Sequence, residues 1–370
     1  NTVSAGGVTA MSPTLLILGG GLMGRLCALA LSEPGLWPKP AHIRLLEMGS
    51  FSPSQELYQP KAAFAAAAML SPLAESVLLE QDLVEMAYRS MQLWQQLQQQ
   101  LPDFGLQHQG ALLLAHPQQQ HLLLHLVSQI KAQPEHKPQW LTKTELAELE
   151  PSLATRFQHC CYLPGEGQLD NQAFLQHSLQ LLQQRGVSLE AQSIAEFRGN
   201  HLWCNGELQH ADLVIDCRGL GASTELPQLR HVRGEVLRVK APAAQLSRPV
   251  RLFHPRYALY IAPKGEGVFV VGATELESSD QSGPSVRSTL ELLSALYSVD
   301  PAFADAEILT VQASARPALP DNRPAISHQH GLIRVNGLYR HGYLLGPALA
   351  EQVAQLALLQ FSEAKELYYG

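Results

Sequence analysis

Three glycines near the start of the chain have the spacing of a turn that binds phosphate groups. Gly19, Gly21 and Gly24 follow the apolar run Thr14–Leu18 and precede a helical pattern that ends near Pro34. The first glycine permits a tight turn, the second lets a phosphate approach bare backbone, and the third lets the helix pack against the strand. The helix N-terminus adds N–H donors and partial positive charge. The segment therefore predicts a dinucleotide-binding strand, turn and helix.

An acidic residue after the second predicted strand strengthens this interpretation. The strand His42–Leu46 is followed by Glu47, whose carboxylate can accept hydrogen bonds from both hydroxyls of a ribose. A carboxylate also disfavours a 2′-phosphate, because two negative charges would meet. The motif predicts FAD or NAD rather than NADP; the alternative is an ordinary glycine-rich turn followed by a surface glutamate.

The bulk properties favour a packed enzyme of two domains. Of the 370 residues, 46% are hydrophobic and 16% are charged, which excludes a disordered chain. The net charge is −7 and no basic stripe could follow a phosphate backbone, so nucleic acid is not an expected partner. Without an apolar stretch of roughly 18 residues or a secretory pattern, we expect a soluble cytoplasmic protein with no integral membrane segment. Residues 1–11 are expected to be a disordered or cloning-derived extension.

The cysteines have no spacing typical of a metal or redox site. They are Cys27, Cys160, Cys161, Cys204 and Cys217. Buried free thiols in a reducing cytosol are the favoured interpretation, and a vicinal disulfide between Cys160 and Cys161 is the alternative. No metal site is predicted.

The later elements predict a nucleotide domain assembled from separated parts of the chain. Residues 76–101, Asn171–Gln184 and 347–360 have helical patterns, and a second glycine turn at 217–222 follows a strand. Alternating strands between 233 and 312 predict an antiparallel sheet for the substrate. The fold class is therefore α/β, with a discontinuous Rossmann-type domain and an antiparallel-sheet substrate domain. The predicted boundaries are 12–85, 150–232 and 313–370 for the first, and 86–149 and 233–312 for the second.

Very small side chains fill the stretch from 62 to 70, which ends before Ser71 and Pro72. Small residues let a cofactor or another backbone segment come close. The alternative is a plain alanine helix, because alanine is the strongest helix former.

With these pieces in place, the chain resembles the D-amino-acid oxidase and glycine oxidase family of flavoproteins, and within it the bacterial glycine oxidases of thiamine biosynthesis. The resemblance extends from about residue 14 to 360 and depends on several motifs in family order. These motifs are the glycine turn with Glu47, AAAAML at 65–70, VRGE at 232–235, LYIAP at 259–263, VGAT at 271–274, ARPALPD at 315–321 and GLYRHGYLLGP at 337–347.

The resemblance implies non-covalent FAD and a set of site residues. Arg316 matches the arginine that holds the substrate carboxylate, Tyr260 the tyrosine that positions it, and Arg340 a second arginine of the active site. The backbone of 341–344 is expected against the pyrimidine edge of the isoalloxazine, and Ile194 on the adenine side. The implied cofactor-binding residues are Gly19, Gly21, Leu22, Met23, Gly24, Glu47, Met48, Ala67, Ala68, Met69, Ile194, Cys217, Arg218, Gly219, Arg340, His341, Gly342, Tyr343 and Leu344.

Physical chemistry suits these implied roles. An arginine can meet a carboxylate in two parallel hydrogen bonds, and such an anchor fixes the orientation of the substrate. Arg316 lies in an Arg-Pro-x-x-Pro-Asp sequence that we read as a turn; the alternative for it is a structural, ion-paired arginine. The alternative for Tyr260 is a strand aromatic without a catalytic role.

The implied function is FAD-dependent oxidation of a small amine or amino acid, such as glycine, sarcosine or a D-amino acid. Hydride transfer to flavin and reoxidation by O₂ would give an imine or 2-oxo acid, ammonia and H₂O₂. The chain departs from the family pattern at Ala63, Phe64, Ala68, Arg218 and His341. The alternatives are a dehydrogenase with another electron acceptor, a flavin-binding partner protein with little catalysis, and an NAD-linked dehydrogenase. A homo-oligomer is compatible with the sequence.

Overall fold

The computed structural model describes residues 12–52, 61–132, 136–254, 257–329 and 331–369. Its strands are β1 (Thr14–Leu18), β2 (His42–Leu46), β3 (Met69–Leu70), β4 (Ala111–Ala115), β5 (Gln139–Leu141), β6 (Cys160–Leu163), β7 (Gly167–Gln168), β8 (Ser188–Glu190), β9 (Ala195–Arg198), β10 (His201–Cys204), β11 (Glu207–Leu208), β12 (Leu213–Asp216), β13 (Arg230–Lys240), β14 (Val250–His254), β15 (Tyr257–Pro263), β16 (Val268–Gly272), β17 (Leu276–Glu277), β18 (Glu307–Ala318), β19 (Ala325–Gln329) and β20 (Leu332–Asn336). Its α-helices are α1 (Leu22–Leu31), α2 (Ala62–Ala65), α3 (Pro72–Glu75), α4 (Gln81–Gln98), α5 (Gln120–Ser128), α6 (Lys143–Leu149), α7 (Asn171–Gln184), α8 (Val286–Val299) and α9 (Gly342–Tyr369).

A six-stranded sheet forms the first layer, in the order β19-β20-β12-β1-β2-β8. Its strands pair in parallel except β19 with β20. β1 is apolar along its whole length because helices cover one side, while Leu16 and Leu18 pack with a second cluster on the other. All six strands lie within the segments predicted for the nucleotide domain, so widely separated parts of the chain meet in one sheet.

A nine-stranded sheet forms the second layer, in the order β17-β13-β16-β15-β14-β4-β6-β5, with β18 paired to β13. It is antiparallel except where β14 runs parallel to β4. Most of its strands come from the segments predicted for the substrate domain. β6 lies outside them, β13 crosses the predicted boundary at 232, and β18 crosses the one at 312. Helix α4 likewise crosses the predicted boundary at 85.

The predicted helix over 76–101 is wrong at its start. The chain instead forms the single-turn helix α3, a turn, and then α4. Ser76 fixes the turn, because its hydroxyl donates to the Leu73 carbonyl and accepts the backbone N–H of Lys131. The Lys131 ammonium also donates to the Leu79 carbonyl at 2.9 Å. Contacts from a distant segment therefore override the helical periodicity.

The last helix begins earlier than the predicted 347–360. α9 begins at Gly342 and carries Pro347 within it. A proline has no N–H for the carbonyl four residues before it, which here is that of Tyr343. The indole N–H of Trp94 donates to that carbonyl instead, at 2.8 Å, and the Ser90 hydroxyl accepts the N–H of Ala348. The expected pre-proline break is therefore absent.

The predicted Arg-Pro turn is also wrong, because Arg316 and Pro317 lie in strand β18. A proline is tolerated in a strand that pairs on one side only, and among the described strands β18 pairs only with β13. The alanine-rich stretch forms only the short helix α2 before the chain becomes extended, so the plain alanine helix is excluded. Residues 1–11 lie outside the described part of the chain, as do 134 and 135 of the loop predicted at 134–138.

Candidate functional site

One large cavity, of about 1160 Å³, is lined by residues from both sheets. Its volume lies at the upper end of the range for ligand pockets, which is consistent with a ligand of dinucleotide size. At one end lie the glycine turn, Glu47, and the neighbouring Met48; at the other lie Tyr260 and Arg316. The cavity thus joins the predicted nucleotide end to the predicted substrate end.

The glycine turn has the geometry that its spacing predicts. Gly19 has a φ of +96°, and a Cβ on Gly24 would clash with the Gly19 carbonyl oxygen. A Cβ on Gly21 would instead meet no atom within 4 Å, because this glycine faces the cavity. Helix α1 begins at the next residue, Leu22, so its free N–H groups face the same space. Gly24 packs the helix on the strand and does not line the cavity.

Glu47 lies below the turn and is held by protein donors. Its carboxylate accepts the N–H groups of Gly20, at 2.8 Å, and Gly49, at 2.9 Å, and lies 2.7 Å from the Lys61 ammonium. Burial alone would raise the pKa of Glu47, but Lys61 and the two N–H groups outweigh it and hold the pKa below its ordinary value. The carboxylate is therefore ionised and fixed at the cavity wall.

An arginine that the sequence analysis did not identify supports the turn from beneath. The Arg25 side chain is fully buried and donates to the carbonyls of Gly20 (2.7 Å), Phe51 (2.5 Å) and Leu175. Burial lowers the pKa of Arg25 to about 10. The local sequence does not predict the role of Arg25, because its acceptors come from three separate segments.

The second glycine turn lines the cavity beside the first, and its Cys217 and Arg218 backbone lies against Gly19. Cys217, Arg218 and Gly219 are all cavity-lining residues, and Arg218 pairs with the buried Asp216 at 2.9 Å. Arg334 contacts the same carboxylate. Burial would raise the pKa of Asp216, but the two arginines hold it below its ordinary value.

Ile194 differs from the other predicted cofactor-binding residues. Its side chain is exposed, and Asn205 occupies both its N–H and its carbonyl group. Ser193 and Ala195 line the cavity on either side, whereas Ile194 does not. Its predicted role stays a prediction. The remaining predicted residues that line the cavity are Leu22, Met23, Ala67, Ala68, Met69, His341, Gly342, Tyr343 and Leu344.

The alanine-rich stretch forms part of the cavity wall and is fixed from three sides. Tyr343 and Asn171 donate to the Ala63 carbonyl, each at 2.9 Å. The Lys264 ammonium donates to the carbonyls of Ala67 (2.5 Å) and Leu169 (2.7 Å) and to a glutamine oxygen. Burial lowers the pKa of Lys264 to about 7. Lys264 was not predicted; its acceptors are backbone groups distant in sequence.

The substrate end is built on one face of the nine-stranded sheet. Arg251 on β14 pairs with Tyr260 on β15, which pairs with Gly272 on β16. The Tyr260 ring lies over Gly272, where a Cβ would come within 2.6 Å of its hydroxyl. Arg316 on β18 lies similarly over Gly234, where a Cβ would clash with the guanidinium. These glycines belong to the VGAT and VRGE motifs.

The two predicted arginines have different surroundings. Within the described part of the chain, the Arg316 guanidinium has no hydrogen bond or ion pair with a protein group, which argues against its alternative as a structural ion-paired residue. Arg340 instead pairs with Glu75 at 2.7 Å and contacts Glu275 at 3.5 Å. Burial raises the pKa of Tyr260, so its hydroxyl stays protonated between the arginines.

Glu75 is a buried acid that the sequence analysis missed. One oxygen lies 2.9 Å from Arg251, and the other lies 2.7 Å from Arg340 and 2.9 Å from His341 Nε2. Burial would raise its pKa, but Arg340 and Arg251 outweigh burial and hold the pKa of Glu75 well below its ordinary value. Nearby Glu166 accepts the Ala74 N–H, and burial raises the pKa of Glu166 to about 7.

The five cysteines are free and buried, so Cys160 and Cys161 do not form a vicinal disulfide. Burial raises the pKa of both Cys160 and Cys161 to about 12. Among the described residues, no group of three metal-ligating side chains could hold a metal ion.

The structure combines a Rossmann-type sheet, which has an open glycine turn, with a second sheet that presents arginine and tyrosine, and one cavity joins the two. This combination defines a two-domain dinucleotide-dependent oxidoreductase. Residues 14–356 match the DAO family, described as FAD dependent oxidoreductase, and the chain belongs to that family. The cofactor is FAD, and the predictions of the family, the fold class and an FAD-dependent enzyme are confirmed. The open space at Gly21 and the N-terminus of α1 fit its phosphates.

Named relatives include oxidoreductases of this family. A Rhizobium etli protein that carries the name of the thiamine biosynthesis oxidoreductase ThiO is 40% identical over 222 residues, covering 60% of this chain and 65% of that protein. The chain thus spans slightly less than two thirds of that relative. A glycine oxidase from Geobacillus kaustophilus is 27% identical over 360 residues, covering 92% of this chain and 91% of that protein.

A solved structure supports the fold. The crystal structure of glycine oxidase from Geobacillus kaustophilus matches with a TM-score of 0.79 at 24% identity, covering 93% of this chain and 95% of that one. In the part of the chain that the structure describes, no helix has both the length and the apolar composition needed to cross a membrane.

Proposed function

We propose that this protein oxidises a small amino acid, such as glycine, sarcosine or a D-amino acid, with O₂ as the final acceptor. Amino acid, O₂ and water become 2-oxo acid, H₂O₂ and ammonia, or methylamine when the substrate is sarcosine. The observation that carries the proposal is the Arg316 guanidinium, which has no ion pair with any residue that the structure describes and faces the same cavity as the glycine turn. Bound FAD supplies the acceptor for the hydride from the carbon next to the amine and passes the electrons to O₂.

Arg316 holds the substrate by its carboxylate. An arginine can form two charge-assisted hydrogen bonds when a carboxylate enters, and among the described residues Arg316 has no ion pair to lose. The glycine at 234 lets the guanidinium lie against the sheet, so few side-chain motions remain to be restricted on binding.

Tyr260 orients the same group. Its hydroxyl is protonated over the working pH range because burial raises its pKa, so it donates a hydrogen bond to a carboxylate oxygen. The substrate therefore has two donors of different direction, which fixes the position of its α-carbon. Hydride transfer from a neutral amine needs no acid–base pair nearby. This agrees with Glu75, whose pKa is held well below its ordinary value.

Non-covalent binding of FAD and a place in a biosynthetic pathway are also part of the proposal. FAD is held without a covalent bond, which acid precipitation tests: the flavin should appear in the supernatant. The name of the Rhizobium etli relative supports a place in thiamine biosynthesis for this chain. Loss of the gene should then create a requirement for thiamine.

The central experiment measures flavin reduction without oxygen. Wild type is mixed anaerobically with glycine, sarcosine and D-alanine, and bleaching of the flavin absorbance gives the reduction rate and the substrate affinity. Loss of two hydrogen bonds to a charged group costs about 3 kcal/mol, so Arg316→Ala should weaken substrate binding about 100-fold. Arg316→Lys keeps the charge without the forked geometry and should lie between the two.

Arg89→Ala serves as the matched control, since Arg89 pairs with Glu351 at the surface, and it should behave as wild type. Equal reduction rates and affinities in wild type and Arg316→Ala would refute the carboxylate anchor.

Peroxide formed in air separates an oxidase from a dehydrogenase: reduction by substrate without peroxide would refute O₂ as the acceptor. Failure of every small amine to bleach the flavin would favour a flavin-binding partner protein.

A further inference from the structure

Three guanidinium groups line the substrate end of the cavity, but they do not have equal numbers of partners. Arg251, Arg316 and Arg340 all contribute to its wall. Glu75 lies between the first and the last of them, 2.9 Å from Arg251 and 2.7 Å from Arg340. One buried carboxylate thus occupies two arginines while the third has no ion pair among the described residues.

The charges in this group determine how many further carboxylates it can accept. Within this set, the guanidinium groups of Arg251, Arg316 and Arg340 face two carboxylates, those of Glu75 and Glu275. One positive charge is left, which a single carboxylate neutralises. A second carboxylate placed next to Arg251 or Arg340 would meet the negative Glu75 that already pairs with both of them, and a carboxylate close to Glu75 is repelled strongly in a partly buried site.

We propose that Glu75 sets the substrate class: it occupies Arg251 and Arg340, so that the site accepts amino acids with one carboxylate and excludes those with two. The inference rests on the proposed function only in taking Arg316 as the carboxylate anchor. Glu75 is a positioning and selectivity residue, since it acts through the arginines that it holds. Substitution of Glu75 should therefore change the relative affinity for acids with one and two carboxylates, whereas substitution of a side chain that merely supports the fold should not.

The test measures binding of two inert acids to the FAD-loaded protein. Acetate carries one carboxylate and malonate carries two, and the shift of the flavin absorbance on titration gives each dissociation constant without turnover. Wild type should bind acetate more tightly than malonate. Glu75→Gln frees one positive charge, so the ratio of malonate to acetate affinity should rise about tenfold or more. Glu75→Asp keeps the charge and should restore the ratio toward wild type.

Substrates give a second measurement of the same selectivity. Sarcosine and iminodiacetate share the N-substituted glycine unit but differ by one carboxylate. In the anaerobic reduction assay, Glu75→Gln should shift the preference toward iminodiacetate by a similar factor. Glu266→Gln is the control, because it removes one negative charge from an exposed turn of the chain, and it should leave both ratios within about twofold of wild type.

A second variant decides the matter if Glu75→Gln does not load with FAD. Arg251→Met removes a cation and leaves Glu75 in place, so the malonate to acetate ratio should fall. The proposal is overturned if a folded, FAD-loaded Glu75→Gln or Arg251→Met keeps the wild-type ratio. Wild type that binds neither acid and is bleached by no amine overturns the proposed function as well. Wild type that binds acetate, with ratios insensitive to residue 75, overturns this inference alone.

Discussion

The Lys264 ammonium should make the free energy of unfolding rise with pH. A lysine whose pKa is raised by an ion pair has the opposite effect, because its stabilisation is lost as the pH rises. The Lys264 ammonium donates to two backbone carbonyls and, among the described residues, has no carboxylate within hydrogen-bond distance, and burial lowers its pKa from 10.5 to about 7. Asp170 opposes this shift and Arg238 adds to it. We expect Lys264→Met, which keeps the length of the side chain and removes its charge, to abolish this pH dependence.

The sign follows from which state holds the proton. Below about pH 7 the lysine is charged in both the folded and unfolded protein. Between pH 7 and 10.5 the unfolded chain keeps its proton while the folded protein has lost it, so raising the pH favours folding. Each pH unit well above the folded-state pKa is worth about 1.4 kcal/mol, and the first unit above pH 7 is worth less because the folded lysine is still partly charged there. Wild type should therefore gain about 2 kcal/mol over Lys264→Met between about pH 7 and pH 9.

Urea denaturation followed by circular dichroism, at a fixed excess of FAD, measures the two free energies of unfolding across this pH range. The exposed Lys240 provides the control, since Lys240→Met should differ from wild type by an amount that does not change with pH. A difference between wild type and Lys264→Met that stays constant from about pH 7 to pH 9 would show that Lys264 does not titrate there, and the reasoning from burial would be wrong.

Two further predictions follow from the backbone turns and the thiols. Gly21→Ala has open space for its methyl group, so it should fold normally but bind FAD about tenfold more weakly or worse, whereas Gly24→Ala should lose about 3 kcal/mol of stability through overpacking. Thermal unfolding and FAD titration check this pair, and equal effects of the two variants would contradict it. The raised pKa values of Cys160 and Cys161 predict no reaction with a thiol reagent in the native protein at about pH 8, but full reaction in denaturant. Rapid labelling of the native protein would contradict their burial.

The nucleotide end was predictable because its sequence signal is local. The positive φ of Gly19 and the close approach at Gly24 are requirements of one short turn, and they leave their mark in the spacing of a few residues. Most predicted strands and helices were found for the same reason, since period and turn residues describe a segment by itself. The cofactor contacts of these residues stay predictions.

The boundaries that failed depend on partners from elsewhere in the chain. Trp94 supplies the donor that lets α9 begin before Pro347, and Lys131 fixes the turn that delays the start of α4. Neither partner can be identified from the segment it affects. Pro317 likewise lies in a strand because β18 pairs on one side only among the described strands. The sequence does not reveal this pairing.

The substrate end was predicted in part, and only through resemblance. Arg316, Tyr260 and Arg340 do line one cavity, although their catalytic roles stay predictions. Glu75 and Arg251 were missed because an acid in a short helix and an arginine in a strand have no distinctive local pattern. Their importance arises from the contact between them, which sequence separation of 176 residues conceals.

The way in which β1 is paired has a consequence for synthesis of the protein on the ribosome. β2 is available almost at once, but the other edge of β1 pairs with β12, about 200 residues later. At typical elongation rates that partner follows after roughly 10 to 40 s, during which an apolar edge strand stays unpaired. The nascent chain therefore passes through a long aggregation-prone interval, and slower translation or higher temperature should lower the yield of folded protein before any effect on the finished molecule is seen.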